Sequence, residues 1–208
     1  MYNSIYPYAI SNPIAHNMRK LRIMEHVSLD GVIQHDNADG FTYGNWTTPY
    51  RTPAGLAALV EVYGSRFDLL LGRRTYDAFA GFWPTAGNSP MANGLNAATK
   101  YVATHRPESL EWGPVQDLGA DIIESIRRVK ATDGPDLIVC GSSTLTSLLL
   151  DQELVDEVVL MVYPVLLGRG KRFFSDRVDP RELAFVSSQA TATGVLLNTY
   201  RHVGPLQV

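Results

Sequence analysis

The chain has 208 residues, 45% of them hydrophobic and 19% charged, which is the size and composition of one globular domain with a full core. The formal net charge of −3 leaves no basic excess to attract nucleic acid or a membrane surface, so we expect neither as a partner. Cys140 is the only cysteine, which excludes a disulfide within the chain and fits the reducing cytoplasm, where we expect the protein to act.

The first 18 residues differ from the rest, because they carry no Asp, Glu, Lys or Arg and contain two prolines. They lack the basic start and the unbroken apolar run of a signal peptide. We predict that residues 1–18 are a flexible N-terminal tail. The alternatives are an over-long gene start, with Met18 as the true beginning, and an arm that packs on a partner subunit. Residues 19–208 are predicted to form a single domain.

Apolar runs and helical periods alternate along the chain. Strands are predicted at residues 21–28, 68–71, 100–104, 136–140 and 158–163, and an antiparallel hairpin at 183–190 and 195–203. Helices are predicted at residues 53–66, 73–80, 120–130 and 142–150. Residues 35–50 and 81–99 show no period and are predicted to be irregular. This order predicts an α/β fold with a mostly parallel sheet and an antiparallel edge.

In two places an apolar strand runs into a glycine and then into residues that open a helix. The first is residues 68–76, which contain Gly72, and the second is residues 136–145, which contain Gly141. A helix N-terminus has unpaired N–H groups and about half a positive charge, and glycine lets a ligand approach the backbone closely. Two such turns side by side would bind a ligand that has two phosphates.

Each turn alone has an ordinary explanation, because a chain often bends at glycine after a strand, and Ser142 is of the residue type that caps helices. Basic residues favour the ligand interpretation. Arg73 and Arg74 follow Gly72, and residues 104–106 (Thr-His-Arg) follow the next strand. Their positive charges would match a nucleotide phosphate.

Several well-known catalytic motifs do not occur in the sequence. There is no G-x-x-x-x-G-K-[ST] run, which excludes a P-loop nucleotidase, and no G-x-S-x-G run, which disfavours a hydrolase. The five histidines are scattered and form no metal-type cluster with cysteine, so we expect no metal site.

Several runs of the sequence resemble a known family. Residues 71–76 (Leu-Gly-Arg-Arg-Thr-Tyr) resemble the Gly-Arg-Lys-Thr segment of dihydrofolate reductases. Four further runs resemble the reductase domain of bacterial riboflavin biosynthesis, the RibD C-terminal type. These runs are residues 28–31, 136–145, 154–157 and 163–170. The Trp83-Pro84 pair and residues 100–102 are similar to the stand-alone, dihydrofolate-reductase-like branch of that family. The resemblance spans about residues 20–203 in a consistent order.

The resemblance implies a dihydrofolate-reductase-like three-layer sandwich with a central, mainly parallel mixed sheet and a C-terminal antiparallel hairpin. It implies NADPH as hydride donor, a small-molecule substrate and, given the apolar hairpin, a homodimer. The residues implied to hold the adenosine-side phosphates are Gly72, Arg73, Arg74 and Thr75, and those near the 2′-phosphate are Thr104, His105 and Arg106. The pyrophosphate would lie on Gly141, Ser142, Ser143 and Thr144, and the loop near the cofactor contains Leu167, Gly168 and Gly170.

Three departures from the family pattern leave the substrate open. The riboflavin enzymes have Glu-Gly-Gly where this chain has Cys140-Gly141-Ser142, and these 208 residues hold no deaminase domain with its zinc ligands. Dihydrofolate reductases have an acidic residue at the start of the helix predicted here at 53–66, where the first carboxylate is Glu61. We therefore predict an NADPH-dependent reductase of a small pterin- or pyrimidine-like heterocycle. The alternatives are the 5-amino-6-(5-phosphoribosylamino)uracil reductase of riboflavin biosynthesis and a catalytically silent NADPH-binding module.

Hydride transfer needs mainly positioning from the protein, and any proton must come from a nearby acid or from water. Asp30 ends the first strand beside a glycine turn, where the family's substrate pocket opens, and is the predicted catalytic residue. The alternative is a turn residue, because Asp-Gly pairs favour turns. Ser28 and Trp46 are the predicted substrate-binding residues. Trp46 would stack on a flat heterocycle, and the alternative is an aromatic side chain that anchors its own loop.

Overall fold

The computed structural model describes residues 18–174 and 179–207, so the predicted N-terminal tail lies outside the described residues except for Met18. The strands are β1 (Leu21–Ser28), β2 (Asp68–Gly72), β3 (Lys100–Ala103), β4 (Val115–Asp117), β5 (Leu137–Val139), β6 (Glu157–Tyr163), β7 (Arg181–Ala190) and β8 (Leu196–Pro205). They form one eight-stranded sheet in the order β4-β3-β2-β5-β1-β6-β8-β7. Strands β1 to β6 pair in parallel, and β8 pairs antiparallel with β6 and β7.

The α-helices cover both faces of the sheet. They are α1 (Pro53–Tyr63), α2 (Arg73–Ala80), α3 (Pro90–Ala97), α4 (Ile122–Lys130) and α5 (Ser143–Asp151). Side chains of α1, α2 and α3 pack into one hydrophobic core, and those of α4 and α5 pack into a second. The residues of β2 alternate between the two, since Leu69 and Leu71 belong to the first core and Leu70 to the second. The predicted three-layer α/β sandwich is confirmed.

Strand β5 lies at the point where the direction of the chain across the sheet reverses. The chain moves outward from β1 through β2, β3 and β4, and then returns through β5 to β6 on the far side of β1. Ile138 of β5 is opposite Arg22 of β1 and Leu69 of β2. β2 and β5 have apolar residues at consecutive positions, as expected for parallel strands covered on both faces.

Two elements lie in stretches where the sequence predicted none. α3 begins at Pro90, is capped by Ser89 and buries Leu95, and the Gly, Pro and Asn content of residues 81–99 concealed its short apolar period. β4 has only three residues and lies at the edge of the sheet. α1 ends at Tyr63 rather than at residue 66, because Gly64 follows with a φ of 83°.

The C-terminal hairpin is longer than predicted. β7 and β8 have ten residues each, and the turn between them contains Gly194 with a φ of 82°. β7 is an edge strand, and its Phe185 and Val186 are 67% and 55% exposed. This edge therefore presents apolar side chains to solvent.

Candidate functional site

The segments that follow the parallel strands lie at one edge of the sheet. Because β1, β2, β3, β5 and β6 are parallel, their carboxyl ends share this edge. The segments are residues 29–31, 73–75, 104–106, 140–144 and 164–170. Together with Gly72, which ends β2, they contain every predicted cofactor residue and the predicted catalytic Asp30. Ligands of open α/β sheets bind at such an edge, beside the point where the strand order reverses.

The two glycine turns contact each other. A Cβ atom on Gly72 would lie 3.3 Å from Oγ of Ser142, and a Cβ atom on Gly141 would lie 3.6 Å from Oγ1 of Thr75. Gly141 has a φ of 63°, in the left-handed region that favours glycine, and its peptide bond to Ser142 is cis. A side chain at either glycine would fill the junction, so the two glycines keep the backbone of both turns open to close approach.

The helices that begin at these turns lack side-chain caps, unlike the other α-helices of the described chain. The N-cap side chains of α1, α3 and α4 each accept a hydrogen bond from a backbone N–H of the first turn; these residues are Thr52, Ser89 and Asp121. No such bond forms at Gly72 or Ser142, the N-cap residues of α2 and α5. The first backbone bond of α5 runs from the N–H of Thr146 to the carbonyl of Ser142, so the preceding N–H groups have no acceptor within the helix. The Ser142 hydroxyl therefore does not act as a cap.

Arg73 joins the turn after β2 to the loop after β3. Its Nη1 donates to the carbonyl of Arg106 at 2.8 Å and to Oγ1 of Thr104 at 3.4 Å. Its Nε donates to Oδ1 of Asp77 at 2.8 Å, and Nη2 of Arg106 donates to Oδ2 of the same carboxylate at 3.3 Å. Two guanidinium groups thus share one carboxylate, and a net positive charge remains at this place.

The structure does not bring every predicted cofactor residue to this junction. The Arg74 side chain is 78% exposed and lies 4.0 Å from Asp39. His105 is exposed on its loop. The residues brought together at the two turns are Gly72, Arg73, Thr75, Thr104, Arg106, Gly141 and Ser142, with Ser143 and Thr144 in the first turn of α5.

Asp30 connects the turn after β1 to the loop after β6. Its Oδ1 accepts hydrogen bonds from Oγ of Ser28 at 2.6 Å and from the N–H of Leu167 at 3.1 Å, and its Oδ2 accepts one from the N–H of Gly168 at 2.7 Å. Burial raises the pKa of Asp30, but these hydrogen bonds outweigh it and bring the pKa below its ordinary value. At neutral pH Asp30 is therefore a carboxylate that holds two loops together. Its catalytic role stays a prediction, as does the contact of Ser28 with substrate.

The loop after β6 packs against the protein core. A Cβ atom on Gly170, whose φ is 116°, would lie 2.7 Å from Cγ1 of Val32 and 3.0 Å from the ring of Phe41. Leu167 packs on the first core, and Gly168 has a φ of 72°. Close packing alone therefore accounts for the glycine at position 170.

Aromatic rings and histidines that the sequence did not predict as a group lie together at the ends of β1 and β6. His35 stacks on Trp46 with ring centroids 5.0 Å apart, and Trp46 and Tyr50 contact the ring of Tyr163 edge-on at 5.1 and 5.4 Å. Nδ1 of His26 is hydrogen-bonded to the hydroxyl of Tyr163 at 2.7 Å. We call these five residues the aromatic cluster.

Both histidines of the aromatic cluster are neutral at pH 7. Burial lowers the pKa of His26 to about 3 and that of His35 to about 4, and the positive charge of Arg51 adds to the effect on both. Trp46 is 9% exposed, and its Nε1 donates to the carbonyl of Gln34 at 2.8 Å. In this structure Trp46 anchors its loop, which was the alternative interpretation, and its contact with a substrate remains a prediction.

Glu25 of β1 is a further candidate that the sequence analysis missed. It is 7% exposed, and its Oε2 has no hydrogen-bond partner among the residues described. Oε2 lies 3.4 Å from the position of a Cβ atom on Gly141. Burial raises the pKa of Glu25 to about 8, against a smaller opposing effect of the backbone N–H groups of His26 and Gly141. The available signal was an acidic residue in the middle of a strand that the sequence predicts to be buried.

Within residues 18–174 and 179–207, no helix has the length and apolar character needed to cross a membrane. The same residues contain no group of three or more His, Cys, Asp or Glu side chains that could hold a metal ion.

Comparison with protein-family models decides the family. The model of the RibD C-terminal domain matches residues 19–197, which is most of the chain. The chain belongs to the RibD C-terminal domain family. The resemblance seen in the sequence is thereby confirmed, and membership of this family supports a reductase-type function.

Two proteins of Bacillus subtilis (strain 168) are similar in sequence to this RibD-family chain. YyaP is 25% identical over 140 residues, which cover 65% of this chain and 74% of YyaP. YwjB is 24% identical over 183 residues, which cover 88% of this chain and 98% of YwjB. The second alignment shows that the similarity extends over most of both chains.

Solved structures share the fold at low sequence identity. A putative riboflavin biosynthesis protein from Shewanella sp. PV-4 is 20% identical, with a TM-score of 0.62 over 88% of this chain and 99% of that chain. A pyrimidine reductase-like protein from Corynebacterium diphtheriae is 13% identical, with a TM-score of 0.58 over 93% and 96% of the two chains. A diaminohydroxyphosphoribosylaminopyrimidine deaminase/5-amino-6-(5-phosphoribosylamino)uracil reductase from Thermotoga maritima is 18% identical, with a TM-score of 0.60 over 89% of this chain and 57% of that chain. These similarities show the fold alone.

Proposed function

We propose that this RibD-family chain is an NADPH-dependent reductase that transfers a hydride to a small heterocyclic substrate of the pterin or pyrimidine type. The observation that carries the proposal is the junction of the two glycine turns, where two helices without side-chain caps begin side by side. Such a junction offers N–H donors and two positive helix ends to the linked phosphates of a dinucleotide. Membership of the family supports the reductase class.

The charge beside the two turns supports a dinucleotide as the ligand, because Arg73 and Arg106 share a single carboxylate and leave a net positive charge. The residues proposed to hold its phosphates are Gly72, Arg73, Thr75, Gly141, Ser142, Ser143 and Thr144. Arg106 and Thr104, which accept hydrogen bonds from the Arg73 guanidinium group, are proposed to add contacts to the 2′-phosphate. When bound, NADPH supplies the hydride, so the task of these residues is to bind and orient it.

The aromatic cluster supports a flat heterocycle as the substrate. It lies beside the turn after β1, and its neutral imidazoles and the Tyr163 hydroxyl can donate to or accept from ring nitrogens and carbonyl oxygens. Arg51 is exposed, and its charge acts on His26 and His35. A positive charge there favours a second candidate, reduction of the phosphoribosylamino-pyrimidine named for the Thermotoga maritima protein, because that substrate carries a phosphate.

Cofactor preference tests the first half of the proposal. NADPH is expected to bind at least about tenfold more tightly than NADH, because its 2′-phosphate would gain charge-assisted hydrogen bonds. One such bond contributes roughly 1.5–3 kcal/mol, and about 1.4 kcal/mol corresponds to a tenfold ratio of affinities. Calorimetry with Arg106→Ala should show most of this preference lost. The matched control is Arg127→Ala, which removes an exposed arginine of α4, on the face of the sheet opposite to α2. This variant should keep the preference for NADPH. Equal affinities of the unmodified chain for NADPH and NADH would refute the assignment.

Turnover tests the second half. NADPH oxidation is measured against pterins, pyrimidines, quinones and the phosphoribosylamino-pyrimidine intermediate. Turnover of a pterin or a simple pyrimidine supports the proposal, and turnover of the phosphorylated intermediate alone supports the second candidate. Tight NADPH binding without turnover anywhere in the panel would assign the chain as a binding module.

We also propose a homodimer formed through the C-terminal hairpin. The edge strand β7 exposes Phe185 and Val186, and the neighbouring β8 exposes 49% of Val203. Two copies related by a two-fold axis would cover these side chains and leave no open edge there.

A further inference from the structure

A buried carboxyl group lies beneath the two glycine turns. Oε2 of Glu25 and Oγ1 of Thr75 lie 3.4 and 3.6 Å from the same point, the Cβ position of Gly141. Oε2 is inaccessible to solvent and has no hydrogen-bond partner in the described chain. The carboxyl group therefore lies next to Gly141, at the junction that the proposed function assigns to the dinucleotide.

The elements packed around Glu25 supply no charge to compensate a carboxylate. α1 contributes Tyr63 and the end of β5 contributes Cys140, whose Sγ lies 3.1 Å from the Tyr63 hydroxyl. Burial raises the pKa of Cys140 to about 12 and that of Tyr63 well above its ordinary value, so both are neutral at pH 7. α2 contributes the uncharged Thr75, and β6 places Leu160 opposite Glu25. No ion pair of the described residues includes Glu25.

The backbone N–H groups of His26 and Gly141 favour the carboxylate, but burial outweighs them, so the neutral form prevails at pH 7 and its O–H needs an acceptor. With the proton on Oε2, this donor is buried and has no partner within the described structure, which is costly. A phosphate oxygen at the Gly141 turn would be such an acceptor. The ionised form of Glu25 would instead repel a phosphate at this short range in a site of low dielectric.

We propose that Glu25 is a binding residue that holds a proton under the Gly141 turn and donates it in a hydrogen bond to the pyrophosphate of the dinucleotide. The proton comes from solvent and stays on Glu25 in the complex. Binding therefore requires the protonated form, and the affinity falls as Glu25 ionises. This inference rests on the proposed function, since it assumes that a dinucleotide occupies the junction.

The test is NADPH binding by calorimetry at about pH 7 and about pH 9 with three proteins. The unmodified chain should lose about tenfold in affinity between the two, because one group that titrates near pH 8 is largely ionised at the higher value. Glu25→Gln keeps an N–H donor without a titratable proton, so its affinity should be close to that of the unmodified chain at the lower pH and change much less. Glu61→Gln, the same substitution at an exposed position of α1, should behave like the unmodified chain.

A second measurement needs no variant. At about pH 8.5, calorimetry in two buffers of different ionisation enthalpy should show uptake of roughly 0.8 proton per NADPH bound, the fraction of Glu25 ionised before binding. Binding with no proton uptake, or a pH dependence shared by the unmodified chain and Glu25→Gln, would overturn the role of Glu25 and leave the reductase proposal standing. Failure of the unmodified chain to bind NADPH at either pH would overturn both.

Discussion

Replacement of Glu25 by Gln removes a carboxyl group whose neutral form is favoured in the folded chain. We expect the stability of this variant, relative to that of the unmodified chain, to increase as the pH rises. Burial raises the pKa of Glu25 from 4.5 to about 8 in the folded chain. Between these values the folded state holds a proton that the unfolded state has released, so stability falls with rising pH. The stability that the unmodified chain gains from retaining this proton on Glu25 is present in full below pH 4.5 and is lost as the pH rises through about 8.

The magnitude follows from the width of this window. Each pH unit within it costs about 1.4 kcal/mol for one proton, so a rise from about pH 5.5 to about pH 7.5 lowers the stability of the unmodified chain, relative to Glu25→Gln, by roughly 3 kcal/mol. His26 and His35 give the opposite pH dependence, so that stability rises with pH below their ordinary pKa of 6.5. The reason is that burial lowers their pKa values to about 3 and about 4. Both proteins contain these histidines, so their contributions cancel in the difference.

The assay is urea denaturation without ligand at about pH 5.5, 6.5 and 7.5, with the free energy of unfolding extrapolated to water. Glu25→Gln should gain stability relative to the unmodified chain at each step, and Glu61→Gln should give a profile parallel to that of the unmodified chain. Parallel profiles for the unmodified chain and Glu25→Gln would show that Glu25 ionises alike in the folded and unfolded states. That result would refute the reasoning from burial.

Three further predictions concern the turns, the loop connection and the assembly. Gly141→Val should abolish NADPH binding with the fold retained. The control is Gly87→Val, which imposes the same kind of backbone strain at a φ of 78° with no atom within 4 Å of the added Cβ, and it should bind NADPH normally. Normal binding by both variants would show that Gly141 only bends the chain. Asp30→Asn should lose about 1–3 kcal/mol of stability, because an amide cannot accept every hydrogen bond that the carboxylate accepts. A loss of about 10²–10⁴-fold in turnover at unchanged stability would instead assign Asp30 to acid–base catalysis. Phe185→Lys should convert a dimer into a monomer in light scattering, and an unmodified chain that scatters only as a 22.9 kDa species would contradict the proposed assembly.

The sequence predicted the elements that are specified by local patterns. The bounds of β1 and α2 agree with the prediction, because the Asp30-Gly31 turn marks the end of the strand and Gly72 marks the start of the helix. β4 pairs with a single neighbour over three residues and has no apolar pattern of its own, since its position depends on β3. The parallel topology then explains why motifs far apart in the chain meet at one edge.

The candidate site was predictable where it consists of backbone turns and less so where it consists of buried side chains. A glycine followed by a helix start can be recognised in one dimension, which is how Gly72 and Gly141 were found. Glu25 and His26 are adjacent in β1, and their roles depend on which neighbours tertiary packing places around them. The exposure of Arg74 also depends on packing, because adjacent helix positions such as 73 and 74 point in different directions.

Asp77 accepts hydrogen bonds from both Arg73 and Arg106, which has a consequence for the proposed binding of phosphate there. Any anion there competes with a carboxylate that is already hydrogen-bonded to both guanidinium groups. A singly charged ion offers the arginines no more charge than Asp77 does, whereas a phosphate offers up to two negative charges and three acceptor oxygens. If anions bind at this place, we therefore expect Asp77 to favour ligands of higher charge. It also reduces the long-range field of the two arginines, so the rate of anion association should depend only weakly on ionic strength.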